Sequence, residues 1–145
     1  MTNVLKIIAL DLEGTIISSA IKPLPRPGLR AFLEFCKKNF QEIVIMSAVP
    51  EWMFREVAGE FAVQRIVPAW FFNARYVTWK EPYKDLRNIG HPNLEEIVLL
   101  DDNWTVVEPN QMEQYMPLRC WLPPFDLADN ELEDAMNRIR ARMSE

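Results

Sequence analysis

Lys6-Ile7-Ile8-Ala9-Leu10-Asp11-Leu12-Glu13-Gly14-Thr15 is an apolar run that ends abruptly in two carboxylates, a glycine and a threonine, and its reading decides the fold. A short apolar run closed by polar residues predicts a buried parallel strand, and ligands of open α/β sheets gather at the carboxyl ends of such strands. Side chains alternate along an extended segment, so Asp11 and Glu13 leave the backbone on one side while Leu12 points away. Two carboxyl groups then share a small site. Taken alone, the segment is equally well a strand that merely ends in acids.

Outward from this stretch the chain alternates strand and helix. Ile21 to Gly28 is a Pro-rich connector, after which Leu29, Phe32, Leu33, Phe35 and Cys36 fall at helical spacing in a helix that should end near Asn39. Glu42 to Ser47 predicts a second buried strand, ending in a hydroxyl, and Glu51 to Phe61 a helix entered through Pro50. Pro68 to Trp79 is aromatic and β-branched and predicts a hairpin turning at Asn73-Ala74-Arg75. Glu96 to Asp102 repeats the opening pattern of an apolar strand closed by paired carboxylates. Leu118 to Trp121 predicts a last short strand. Asp129 to Met143 predicts a C-terminal helix capped by Asp129, with Leu132, Ala135, Met136, Ile139 and Met143 inward. The expected class is α/β, with a doubly wound, mainly parallel sheet, helices on both faces and a small β-hairpin insertion.

Composition sets the bounds. The 145 residues, 49% of them hydrophobic, can bury roughly 68–70% of the unfolded surface, which predicts one domain over residues 1–145. No apolar segment approaches the ~20 residues of a membrane span and no secretory leader pattern is present, so the expectation is a soluble, cytoplasmic protein without membrane contact. Neither Cys36, in a predicted helix, nor Cys120, in a predicted strand, has a Cys or His at metal-ligand spacing, and both are expected to be reduced core thiols. The formal net charge of -5 argues against a nucleic-acid footprint, and Arg138, Arg140 and Arg142 read as the solvated side of the last helix. Nothing in the sequence sets an oligomeric state.

Three strands thus end in Asp11/Glu13, Ser47 and Asp101/Asp102, and Lys84 lies in the segment leading to the third. In one parallel sheet these ends converge on a single crevice. Carboxylates from two strands suit an oxygen-ligated Mg²⁺, which binds through one or two carboxylates plus substrate phosphate. A hydroxyl and an ammonium opposite the metal can then hold phosphoryl oxygens.

With these residues in view, the chain resembles the capless phosphatases of the haloacid dehalogenase superfamily, which share a Rossmann-like core. Asp11-Leu12-Glu13-Gly14-Thr15 is similar to the first motif Asp-x-Asp-x-Thr, Ser47 to the second-motif Ser/Thr, Lys84 to the third-motif lysine and Asp101-Asp102 to the acidic fourth motif. Arg26-Pro27-Gly28, Tyr83-Lys84-Asp85-Leu86 and Phe125-Asp126 with Asp129 and Glu131-Leu132 are further similar to the small RNA polymerase II C-terminal-domain phosphatases and the NLI-interacting-factor-like family. The Tyr-Lys-Asp-Leu context favours Lys84 over Lys80 as the third-motif lysine. The resemblance implies that Asp11 is the nucleophile and forms an aspartyl-phosphate, and that Glu13 is the general acid and base. It implies that Ser47 and Lys84 hold the transferring phosphoryl group, with Thr15 and Asp101 in support. It implies Mg²⁺ held by Asp11, the Glu13 backbone carbonyl and Asp102. Glu13 departs from the motif's aspartate by one C–C bond, roughly 1.5 Å, and a misplacement of about 1 Å can cost a factor of ~10² in rate; the enolase-phosphatases carry a similar Asp-x-Glu-Gly-Thr.

The 36 positions from Asp11 to Ser47 and the 37 from Ser47 to Lys84 leave no room for a cap domain, which implies an open site and a phosphorylated macromolecule as substrate. The segment from Trp70 to Trp79 is a candidate recognition wall, although Trp52 and Trp70 read better as core. His91 reads as a loop residue, and Trp104 as either a packing residue or a pocket wall. Two other functions stay open. One is a catalytically inactive phosphatase fold that serves as a binding module, suggested by Glu13 and Val49; the other is a nucleic-acid end phosphatase.

Overall fold

A computed structural model describes residues 4–144. Its centre is a five-stranded sheet, β1 (Ile7–Leu10), β2 (Glu42–Ile45), β3 (Arg75–Tyr76), β4 (Ile97–Asp101) and β5 (Tyr115–Pro117), in the order β3-β2-β1-β4-β5. Every pairing is parallel, with Ile8 opposite Ile43 on one side and Val98 on the other. From β1 the chain winds outward to β2 and β3, then crosses to β4 on the other side of β1. The order therefore reverses between β1 and β4, at the carboxyl ends where such sheets take their ligands.

The runs that predicted β1 and β4 are buried throughout because both of their faces are covered. On one face Ile8, Leu10, Ile43, Ile45, Val98 and Leu100 meet the apolar sides of α1 (Leu29–Asn39), α2 (Glu51–Val63) and α3 (Glu131–Met143). On the other, Ile7, Ala9, Val44, Ile97 and Leu99 meet Leu86 and Ile89 of a single 3₁₀ helix, together with Val77 and Val107 from loops. Helical cover is thus present on both sides but unequal. No helix among the described residues is long and apolar enough to cross a membrane.

The expected hairpin over Pro68–Trp79 does not form. Ala69–Asn73 is a 3₁₀ helix entered through Pro68, with the Phe71 ring edge-on to Phe54 at 5.3 Å, and only Arg75–Tyr76 is strand, parallel to β2. In a strand the three consecutive aromatics would put bulky rings on both faces, whereas here Phe71 is buried against α2 and Phe72 is exposed, so packing against α2 overrides their strand propensity. The last strand is Tyr115–Pro117, three residues before the one expected. Leu118–Trp121 leaves the sheet because Trp121 donates its N–H to the Gly14 carbonyl (2.9 Å), and Cys120 is half-buried outside any strand. Cys36 is a fully buried core thiol.

Helix α2 runs to Val63, two residues past the expected end. It buries Phe54, Val57, Ala58 and Phe61, a stripe that Trp52 misses, so Trp52 is 61% exposed rather than in the core. Trp70 packs partly against the core, with Lys37 over its ring at 5.2 Å. Helix α3 starts at Glu131 behind Asn130, two residues later than expected; Asp129, paired with the guanidinium of Arg26, also accepts the Glu131 N–H at 3.3 Å. Leu132, Ala135 and Ile139 are its buried residues, and Met136 and Met143 pack partly against the core.

Candidate active site

β1 delivers Asp11 to the crevice, and the Asp11 N–H extends the ladder by donating to Leu100 O at 3.1 Å. The chain then turns sharply at Gly14, where φ is +78° and a Cβ would stand 2.6 Å from Asp102 Oδ2 and 2.8 Å from Cys120 Sγ. Glycine alone suits that position, for its backbone and for the space around it. The turn carries Thr15 back over the strand end, where its hydroxyl is shared between Asp11 Oδ2 (2.7 Å) and Asp102 Oδ1 (3.1 Å).

β4 brings Asp101 and Asp102 alongside. Asp101 is buried, accepting from the Asn103 N–H at 3.0 Å and from Lys84 Nζ at 2.5 Å; the same ammonium lies 2.9 Å from Asp11 Oδ1. Ser47, two residues past β2, is 4% exposed and its Oγ accepts from the Val49 N–H at 3.0 Å. Asp11, Glu13, Ser47, Lys84, Asp101 and Asp102 all line one cavity of about 220 Å³. The structure therefore brings together every residue singled out for the site, with Thr15 immediately behind Asp11. Glu13 stands somewhat apart. Its residue is exposed, its Oε2 accepts from the Ala20 N–H at 2.7 Å, and its backbone carbonyl accepts no backbone N–H among the described residues.

Burial dominates the electrostatics. It pushes the Asp11 carboxyl up to about 7, with the neighbouring Asp101 charge adding to the shift and the Lys84 ammonium and Thr15 hydroxyl opposing it. Asp101 is raised for the same reason, against Lys84. Asp102 is less enclosed. Burial would raise it, but hydrogen bonds from Asp11, Cys120 and Thr15 outweigh that and hold it below its ordinary value. For Lys84, burial would lower the ammonium's pKa, and the two carboxylates reverse the sign.

Asp11, Asp101 and Asp102 offer oxygens that all lie within 4.8 Å of one another. With the three ionised, one ammonium leaves two negative charges in excess. That surplus, an all-oxygen donor set and the free Glu13 carbonyl fit a hard divalent cation, whose ligand oxygens at about 2.1 Å from the metal span up to about 4 Å.

Three contributors escaped the sequence reading. The Trp79 indole, which the sequence places only in the expected hairpin, donates Nε1–H to the Ser47 carbonyl at 3.0 Å, and its ring centre lies 5.6 Å from Lys84 Nζ. Gln111, 4% exposed, accepts the Leu86 N–H and donates to Asp85 Oδ1, both at 2.9 Å, so it fixes the residues that follow Lys84. No local pattern marks a lone glutamine as buried. Cys120, expected to be an ordinary core thiol, sits with Asp102 against Gly14, and burial with that neighbouring carboxylate pushes it up to about 12. Trp104 is 67% exposed and so is not a packing residue, and His91 sits in a loop against Glu96 at 2.7 Å.

An all-parallel sheet with the Asp11 loop and an acidic cluster at its switch point is a Rossmann-like fold of the haloacid dehalogenase type. Residues 6–145 match the family model of the NLI interacting factor-like phosphatases, and the chain belongs to that family of phosphoric ester hydrolases. It is also similar to an uncharacterised FCP1 homology domain-containing protein of Schizosaccharomyces pombe, 28% identical over 81 residues and covering 45% of this chain. The match takes in 33% of that relative's own length.

Proposed function

We propose that the chain is a single-domain, Mg²⁺-dependent phosphomonoesterase that works through an aspartyl-phosphate on Asp11. The observation that carries this reading is the setting of Asp11: buried, between Lys84 Nζ at 2.9 Å and Thr15 Oγ1 at 2.7 Å, in a cavity with three further carboxylates, Glu13, Asp101 and Asp102. Asp11, Asp102 and the Glu13 carbonyl would hold the metal. When bound, it supplies positive charge that favours ionised Asp11 and offsets the charge of a phosphoryl group. Ser47 and Lys84 orient the phosphoryl oxygens, and Asp101 keeps Lys84 in place.

An Asp11 oxygen attacks phosphorus as the bond to the leaving oxygen breaks, and Glu13 gives that oxygen its proton. Water then attacks phosphorus, Glu13 takes the water's proton, and the Asp11–phosphorus bond breaks to release inorganic phosphate. The Ala20 N–H engages one Glu13 oxygen and so restrains the longer side chain, leaving the other for proton transfer.

The substrate we propose is a phosphorylated protein segment. The cavity around Asp11 shares Ser47 and Ala48 with a second of about 240 Å³, which shares Thr78 and Trp79 with a third of about 570 Å³. Such a chain of hollows suits an extended ligand, and the net charge of -5 disfavours nucleic acid. The two unpaired cysteines accord with the reducing cytoplasm. The same Glu13–Ala20 bond favours a second reading, a phosphopeptide-binding module without turnover.

The test is hydrolysis of an aryl phosphate and a phosphopeptide with and without Mg²⁺. Wild type should turn over only with metal, folded Asp11→Asn should show none, and Glu13→Gln should lose roughly 10²–10⁴ in kcat with metal affinity unchanged. Turnover in folded Asp11→Asn refutes the aspartyl-phosphate. An inactive wild type that still binds phosphopeptide establishes the second reading.

A further inference from the structure

We infer that Arg26 is a positioning residue for the reaction, holding the Gly14–Thr15 peptide so that Thr15 and Asp102 meet Asp11; this rests on the phosphatase reading above. Arg26 is 1% exposed and lies in the connector before α1, outside the cavity that holds Asp11. A guanidinium has five N–H donors in a planar fork, and each one is used. Nε and Nη2 take Asp129 Oδ2 (2.7 Å) and Oδ1 (2.9 Å), and Nη2 also takes the Arg119 carbonyl at 2.7 Å. Nη1 spans the Gly14 and Thr15 carbonyls, both at 3.1 Å.

Asp129 supplies the counter-charge that lets a guanidinium be buried. Neutralisation needs only that carboxylate; the Nη1 contacts do something else. They turn two consecutive carbonyls of the nucleophile loop inward and set the orientation of the peptide between Gly14 and Thr15. The Gly14 carbonyl also accepts from Trp121 N at 2.9 Å, and the Arg26 backbone N–H donates to Ile16 O at 3.0 Å. On the other side of this peptide sit the Thr15 hydroxyl, shared by Asp11 and Asp102, and the Gly14 Cα, packed on the Asp102 carboxylate. A rotation of the peptide displaces both carboxylates relative to each other.

Lysine brings one tetrahedral point charge with three donors and cannot span both carbonyls while facing Asp129. The experiment compares wild type, Arg26→Lys, Asp129→Asn and Ile139→Ala, a control that loosens α3 without touching the loop. Each is studied below its own melting temperature, by aryl phosphate kinetics and, without substrate, by calorimetric Mg²⁺ titration. Arg26→Lys should lose roughly 10–100-fold in kcat with KM little changed, and its Mg²⁺ affinity should fall. Asp129→Asn should lose less, and Ile139→Ala should keep both kcat and affinity.

Folded Arg26→Lys with wild-type kcat and Mg²⁺ affinity overturns the inference, as does an equal loss in Ile139→Ala. If Arg26→Lys does not fold, Asp129→Asn decides on the same two measurements. If wild type is inactive, the phosphatase reading fails by itself and the Mg²⁺ titrations still judge Arg26: a lowered affinity in Arg26→Lys supports it, and an unchanged or absent one overturns it.

Discussion

The loop after β1 and the segment that delivers Lys84 end in the same cavity, but they are held by different means. The first is bonded backbone to backbone within itself, with the Arg26 fork closing it from outside: the Leu12 carbonyl accepts from Thr15, Ile16 and Ile17, and Gly14 donates to Ile17. In the second, Pro82 and Tyr83 are exposed, and the anchors are the Lys84 N–H to Val106 O at 2.7 Å, the Trp79 indole on Ser47 and the Gln111 amide beyond. Asp11, the proposed nucleophile, has a short side chain, so its backbone must be placed to a fraction of an ångström. An ammonium on a four-carbon stem finds Asp11 and Asp101 by itself, and only its stem needs fixing.

The contrast breaks first at Gly14. Gly14→Ala puts a methyl 2.6 Å from Asp102 Oδ2 on a residue with φ of +78°. Turnover of aryl phosphate should fall by roughly 10² and denaturant unfolding should show a loss of about 1–3 kcal/mol. Wild-type kinetics in this variant would mean that the loop tolerates displacement and that the two segments do not differ.

A smaller effect is expected on the lysine side. Gln111→Leu strips the buried Leu86 N–H of its partner, for a stability loss of about 1–3 kcal/mol, while kcat of the folded variant should stay within a few-fold of wild type. A kcat drop as large as that of Gly14→Ala would show that the lysine segment is as tightly specified as the loop.

The smallest effect is a pH trend. With Asp11 raised to about 7 in the fold and near 3.8 when unfolded, the native state holds the extra proton between those values. This site's contribution to stability is therefore present at low pH and lost as pH rises through about 7. A metal that needs the carboxylates ionised counters the loss. Thermal melts should show a larger Mg²⁺-induced rise in Tm at pH 8 than at pH 5.5, and an equal rise at both would argue that Asp11 is not a ligand.

Much of the site could be read because its parts sit at the ends of the two strands buried on both faces. Ile7–Leu10 and Ile97–Asp101 have no polar face to confuse the pattern, and the polar residues that follow them mark the crevice. The margins of the sheet could not be read this way. Tyr115–Pro117 pairs on one side only, and Arg75–Tyr76 has two residues, too few for any period to show. Trp70, Phe71 and Phe72 carry strand propensity, yet contact with α2 decides their conformation.

By itself, then, the sequence determined the central strands, the helix α1 between the first two, and the carboxylates, hydroxyl and lysine that the sheet would gather, because burial on both faces and residue chemistry are written locally. Only the tertiary structure decided that Arg26 would reach Asp129, 103 positions away, and Gly14 in one fork, that Gln111 would brace the lysine segment, and that the expected hairpin would give way to a 3₁₀ helix and a two-residue strand. Buried hydrogen bonds between distant segments are satisfied by whichever groups the packed fold brings near, and no local period or propensity encodes that choice.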